Sequence, residues 1–483
     1  MRNDETTPAI PPRYRALKRW SLFALIVFVV LAAVRLWWGH AAQRRMEAFV
    51  AAAHARGEKI LPADFVVVEP LPDEQNAAVL LKSAAPGIVY TPQQQTWEAN
   101  FARTLPLTAA DVATIQALAW QNRRALAQVR QARSIAGVDW RIQPGGRTFS
   151  TAGPIFNQQR GLASLIVYVA LYEHAVGNDT EFIELMLDLD RQRSAVGQIS
   201  PSMLTMLVAA GLDGLLSNVV LDVAPALDVT GMESRAAATT TRPASRRQVR
   251  DLIDRLLDDT DTRDIADRAS QGERMFALDS ATAWSSNMEP GVLAPVLRPL
   301  YVFDAVRAAE RSTQLMAATQ PTLPAALATT SRLSGSGGAK SHLHEVATAM
   351  SETLRQPKVN EAMFRTLSDR RAAAIVLGVR LYSLDHAAAL PPTLEALVPD
   401  YLSRVPADPM SSGGQPFRYA PGGTMPRIYS VGIDGIDNGG TPISANRWAN
   451  ADAAYSLTAA APAAPATPAG VTTTTAPATR SGS

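Results

Sequence analysis

From Trp20 to Trp38 every side chain is apolar except Ser21 and Arg35. As a helix rising about 1.5 Å per residue, this run reaches across roughly 30 Å of hydrocarbon, with tryptophans placed for both water–lipid interfaces. Arg35 lies close enough to one end for its guanidinium to snorkel. Arg13, Arg15, Lys18 and Arg19 precede the run, and Arg44 and Arg45 follow it. This bias predicts a single-pass membrane protein, with residues 1–19 cytoplasmic, a transmembrane helix over 20–38 and the bulk on the extracytoplasmic side. Bulky Trp37 and Trp38 stand where a signal peptidase needs small residues, so an uncleaved anchor is expected rather than a removed leader.

Between residues 40 and 367 the apolar side chains recur at helical spacing, with little strand signal. Thr108-Ala109-Ala110-Asp111 reads as a capping box opening a helix through Val112, Ile115 and Leu118. The stretch from Gly161 to Val176 reads as another helix, stopped by Gly177. Asn178 and Asp179 restart the chain through Phe182, Ile183, Leu185, Met186 and Leu189, and so short a turn predicts an antiparallel αα-hairpin. Ser200-Pro201-Ser202 opens a third helix. Residues 246–258, 263–284 and 299–316 read as further helices, the last with Pro299 in its first turn. The segments 231–245 and 319–338 read as linkers. No regular repeat period emerges, so an irregular helical domain of hairpins is predicted over 40–367.

Lys and Arg total 46 against 44 Asp and Glu, a net charge of +2, and no broad basic footprint for nucleic acid follows from that balance. Absence of cysteine excludes disulfides, thiolate zinc sites and cysteine nucleophiles.

The C-terminal part changes character. Tyr382-Ser383-Leu384-Asp385, Leu390-Pro391-Pro392, Asp408-Pro409, Phe417-Arg418-Tyr419 and the run Ile428 to Gly440 follow in order. Together they resemble the C-terminal domain of the major pseudopilin of type II secretion systems, over residues 368–457. That resemblance implies a small α+β head, in which a long helix meets a β-meander and an acidic, glycine-rich calcium loop, and it implies a bacterial inner membrane with the bulk of the chain periplasmic. Asp434, Asp437 and Asn438 offer side-chain oxygens within one turn-rich segment, and Asp452 is placed to return as a further ligand. The resemblance implies a Ca2+ loop that Asp434 and Asp437 match, and Asn438 and Asp452 complete the candidate ligand set. The same Asp-Gly and Asn-Gly pairs also form plain turns with no metal. The family's glycine before the apolar run and glutamate inside it are absent around Lys18 to Ala24, so pilin-type processing is not expected. Residues 458–483, rich in Ala, Pro and Thr, read as a disordered tail.

Elsewhere the candidate sites are plain. His342 and His344 stand two apart, which on a helix turns them to different faces. Gly335 to Ser341 lacks the glycine before Lys340 that a phosphate-binding loop needs. Asp258 to Asp264 lacks the glycine and final glutamate of an EF-hand. No Gly-x-Ser-x-Gly elbow is present, and no nucleophile–base pairing is readable, so no enzyme is expected. The sequence predicts a mainly α chain acting as a non-catalytic, membrane-anchored scaffold or interaction protein, with envelope or secretion-system proteins as partners. A true pseudopilus subunit and a hydrolase with a site in the helical domain are the rival expectations.

Overall fold

The computed structural model describes residues 12–67, 69–143, 148–230, 241–287, 294–317, 321–335, 357–440, 446–449 and 451–459. His342, His344, Glu345, Lys340, most of the expected linker over 231–245 and nearly all of the tail lie outside them.

Helix α1 runs from Pro12 to Ala55 without a break. Its stretch from Trp20 to Trp37 exposes Leu22, Phe23, Leu25, Ile26, Phe28 and Leu36, each more than half uncovered, so it is long and apolar enough to cross a membrane. The sequence places the end of this element near Trp38. It continues because Gly39 is the one poor helix former before an alanine-rich stretch that packs on the body. There Ala53 and Ile60 share a small core with Leu278, Ala305, Val306 and Ala309. Arg45 meets Glu310 at 3.0 Å, and Arg274 meets Glu58 at 2.6 Å.

The body is mainly helical. Four short helices come first: α2 (Ala77–Ala84), α3 (Pro92–Asn100), α4 (Ala109–Gln121) and α5 (Arg123–Arg133). Thr108 closes the expected capping box on α4, its hydroxyl accepting from Asp111 N while the Asp111 carboxylate accepts from Thr108 N. Helices α6 (Thr148–Ala175) and α7 (Asp179–Val196) form the predicted hairpin, packed along each other. Gly177 turns it at φ +77°, a left-handed conformation that side chains disfavour. Helix α8 (Met203–Val223) is apolar on nearly every side and is the central core helix, not a second span, since 61% of its most apolar window is buried.

A two-residue parallel pair, β1 (Val229–Thr230) with β2 (Ala244–Ser245), then leads into α9 (Arg246–Leu257) and α10 (Thr260–Asn287). Ser245, expected in a linker, instead caps α9 with Gln248. In α11 (Ala294–Ala317) Pro299 stands inside the helix rather than at its first turn. The expected linker over 319–338 contains α12 (Leu323–Gly335). Leu323 orders its start by burying completely against Met410 and Val431, with its N–H on Pro409 O at 2.8 Å. These partners lie far along the chain, which is why local composition reads the segment as loose.

Helix α13 (Pro357–Asp385) carries the chain into the head, an antiparallel meander of β3 (Arg418–Ala420), β4 (Arg427–Ser430) and β5 (Ala453–Ser456) in that order. The expected boundary at 367/368 falls inside α13. Its residues Ala372 to Leu381 belong to one apolar core holding Leu212, Leu216, Leu252 and Leu256 of the body together with Leu394, Phe417, Ile428 and Tyr455 of the head. A helix buried on all sides over residues 372–379 joins the two parts across the expected boundary.

Candidate functional site

Two polar assemblies stand out, one at the joint on α13 and one in the acidic loop. At the joint, Ser368, Asp369, Arg370 and Arg371 follow one another, and successive helical residues project about 100° apart, so the four reach around the helix. Arg370, 1% exposed, bonds Asp190 of α7 at 3.1 Å and Asp213 of α8 at 2.6 Å, and donates to the carbonyls of Leu256 and Arg255. Arg193, equally buried, reaches Asp190 at 3.2 Å and the half-exposed Asp261 at 3.3 Å. Burial alone raises the Asp190 carboxyl, but the charges of Arg193, Arg370 and Arg255 outweigh it and hold Asp190 below its ordinary value. Burial likewise opposes the Arg370 charge, and Asp213 and Asp190 more than restore it.

On the other side of the same helix, Asp369 takes up the head. Its carboxylate accepts from Tyr455 Oη at 3.0 Å, Trp448 Nε1 at 3.1 Å and Arg447 Nη1 at 3.3 Å. Burial pushes its pKa up against these partners. Ser368 adds a contact to Tyr455 Oη at 3.3 Å, and Arg371 bridges Asp259 at 2.6 Å to the Ala407 carbonyl at 2.8 Å.

A cavity of about 10 Å³ opens beside the joint among Arg193, Met206, Asp213, Thr262, Ile265 and Met363. That is room for about one water molecule. Arg193 Nη1 and Thr262 Oγ1 are buried there without a hydrogen-bond partner among the described residues. The one carboxylate in the lining, Asp213, is already paired with Arg370 and Arg193.

In the acidic loop the four residues expected to bind calcium separate into different roles. Asp452, fully buried, accepts from Asn438 N at 3.0 Å and Gly440 N at 2.7 Å. Asp437 turns to the sheet, accepting from Gly439 N at 3.0 Å, Tyr429 Oη at 3.1 Å and Arg418 Nε at 3.0 Å. The Gly439 N–H, with Tyr429 and Arg418, holds its carboxyl below the ordinary value of 3.8. Asp434 accepts from Ile436 N at 3.0 Å, while the Asn438 amide lies 3.4 Å from its other oxygen and donates to the Ile436 carbonyl at 3.0 Å. Asp434 and Asp452 thus flank Asn438, whereas Asp437 faces elsewhere. Among the described residues no three carboxylate or imidazole side chains are grouped to hold a metal ion. With the oxygens of the three aspartates turned to N–H and O–H donors, the four residues as placed do not fit a calcium shell of six to eight oxygens.

The neighbouring Asp408 is a buried pin. Its carboxylate accepts from Met410 N at 2.9 Å, Ser430 Oγ at 2.9 Å and Val431 N at 3.0 Å. His174 and Asp179 meet at 2.6 Å across the α6–α7 turn, where Asp179 also accepts from Asp228 N at 2.6 Å. This His–Asp pair closes a turn.

The joint was not read from the sequence, yet a signal was there. Asp190, Arg193 and Asp213 interrupt apolar helical faces that otherwise run through the core, as does the Ser368 to Arg371 run. Comparison with protein-family models, curated proteins and solved structures finds no match to this chain.

Proposed function

We propose that this chain is a non-catalytic scaffold anchored in the bacterial inner membrane by residues 20–38, displaying a helical body and a pseudopilin-like head on the periplasmic side. Its partners are envelope proteins, foremost those of a type II secretion-like apparatus. The reading rests on one observation: the apolar rod of α1 continues as the same helix into a packed contact with the body. Anchor and body are therefore one mechanical piece, and the head is fixed to that piece through α13. Such continuity suits a protein that holds a surface at a set height and orientation above a bilayer.

Reporter fusions after Leu457 test the topology. An exported phosphatase is active there and a cytosolic reporter is dark; the reverse pattern removes the proposal. Crosslinking in intact cells, followed by identification of the captured proteins, tests the partner class. Capture confined to cytosolic proteins rules it out.

A further inference from the structure

We infer that the acidic loop of the head closes without a metal ion, because Arg418 and Arg427 occupy the positions and acceptors that a bound cation would take. A hard cation in such a loop draws on carboxylates and on backbone carbonyls that the glycines turn inward. Here the aspartate carboxylates and two of the carbonyls already have donors. Arg418 Nε neutralises the Asp437 carboxylate at 3.0 Å, and Arg427 Nη2 takes the Gly439 carbonyl at 3.1 Å. The Asn438 side chain takes the Ile436 carbonyl. The Arg427 side chain lies against Gly440, where an added Cβ would meet its Nε at 2.8 Å. Asp452 remains, and its oxygens receive the Asn438 and Gly440 amides in a fully buried position. Moving them to an ion would leave two N–H groups unpaired. One arginine thus pairs with the Asp437 carboxylate and a second takes a carbonyl of the loop, which reduces the negative surplus that attracts a divalent ion.

The inference concerns the loop alone and does not depend on the scaffold role. The experiment uses the full chain in detergent, with amide hydrogen exchange of the peptide covering 434–440 and the melting temperature both followed in excess calcium and in chelator. For the wild type both readouts are the same in the two conditions. In the variant Arg418→Gln with Arg427→Gln, exchange of the loop rises, and calcium, now facing uncompensated acids, lowers it again. If the double variant does not fold, Arg418→Gln alone serves, since that side chain is partly exposed. Calcium protection of the wild-type loop that disappears on Asp434→Asn overturns the inference. So does a variant that stays indifferent to calcium, because the arginines would then not be substituting for a cation.

Discussion

The joint on α13 and the acidic loop of the head are both built from arginines and aspartates, but they differ in depth and in reach along the chain. At the joint, Asp190, Arg193, Asp213 and Arg370 are almost wholly buried and come from three helices. In the loop, Asp437 and Arg418 are more than a third exposed, and only Asp452 is deep. The same ion pair has different consequences in the two settings. Removing one partner from a dry cluster strands a charge, whereas water and salt screen an exposed pair and leave it worth little. The conspicuous acidic motif is therefore the weaker feature energetically, and the inconspicuous Arg370 fastens α13 to the body while its neighbour Asp369 holds the head.

Arg370→Met tests that contrast where it is largest. Leaving Asp190 and Asp213 short of their shared cation should cost about 3–5 kcal/mol, read as a lower denaturation midpoint. Replacing both aspartates by asparagine in the same background should recover part of the loss; an unchanged midpoint in Arg370→Met would refute the role given to the joint. Gly432→Ala comes next. Gly432 sits at φ +68° with the Ala451 carbonyl 1.7 Å from where a Cβ would be, so the loop must shift at a cost of about 2–4 kcal/mol. Protease cutting within 434–452 should increase while the helical body stays intact.

Asp452→Ala removes the buried acceptor of two amides and should cost about 1–3 kcal/mol, seen as faster exchange at Asn438 and Gly440. Equal exchange in mutant and wild type would show that the loop is held from elsewhere. The smallest effect is the acid response of Asp437. Its folded-state pKa lies below 3.8, so its contribution is fully present above that value and is lost as the pH falls through the depressed one. Loop exchange, corrected for its intrinsic pH dependence, should stay flat from neutrality to about pH 4 and rise only below it. A rise beginning near neutrality would mean that another group holds the loop.

Features set by neighbours in the chain were legible without coordinates. Thr108 and Asp111 declare the start of α4 through a bond three residues long, and Gly177 declares the hairpin turn because its backbone must enter the left-handed region. The motif Phe417-Arg418-Tyr419 and the start of the run from Ile428 overlap two strands of the head to within a residue. Helix α12 was missed because Leu323 is ordered by Met410 and Val431, which are remote in sequence. The fate of Asp437 was equally hidden, since whether it faces a cation site or Arg418 depends on how the loop folds back over the sheet.

Composition and periodicity alone determined that this chain has an apolar stem and a helical middle, because each depends on side-chain character within a few helical turns, while the small stranded end was an expectation from the motif resemblance. Only the folded arrangement decided that the helix of the stem runs on to pack against the body, that body and head share a core through α13, and that Arg370 meets partners 180 and 157 residues away. Burial of charge is a property of what surrounds a residue in space, and no local pattern along the chain contains it.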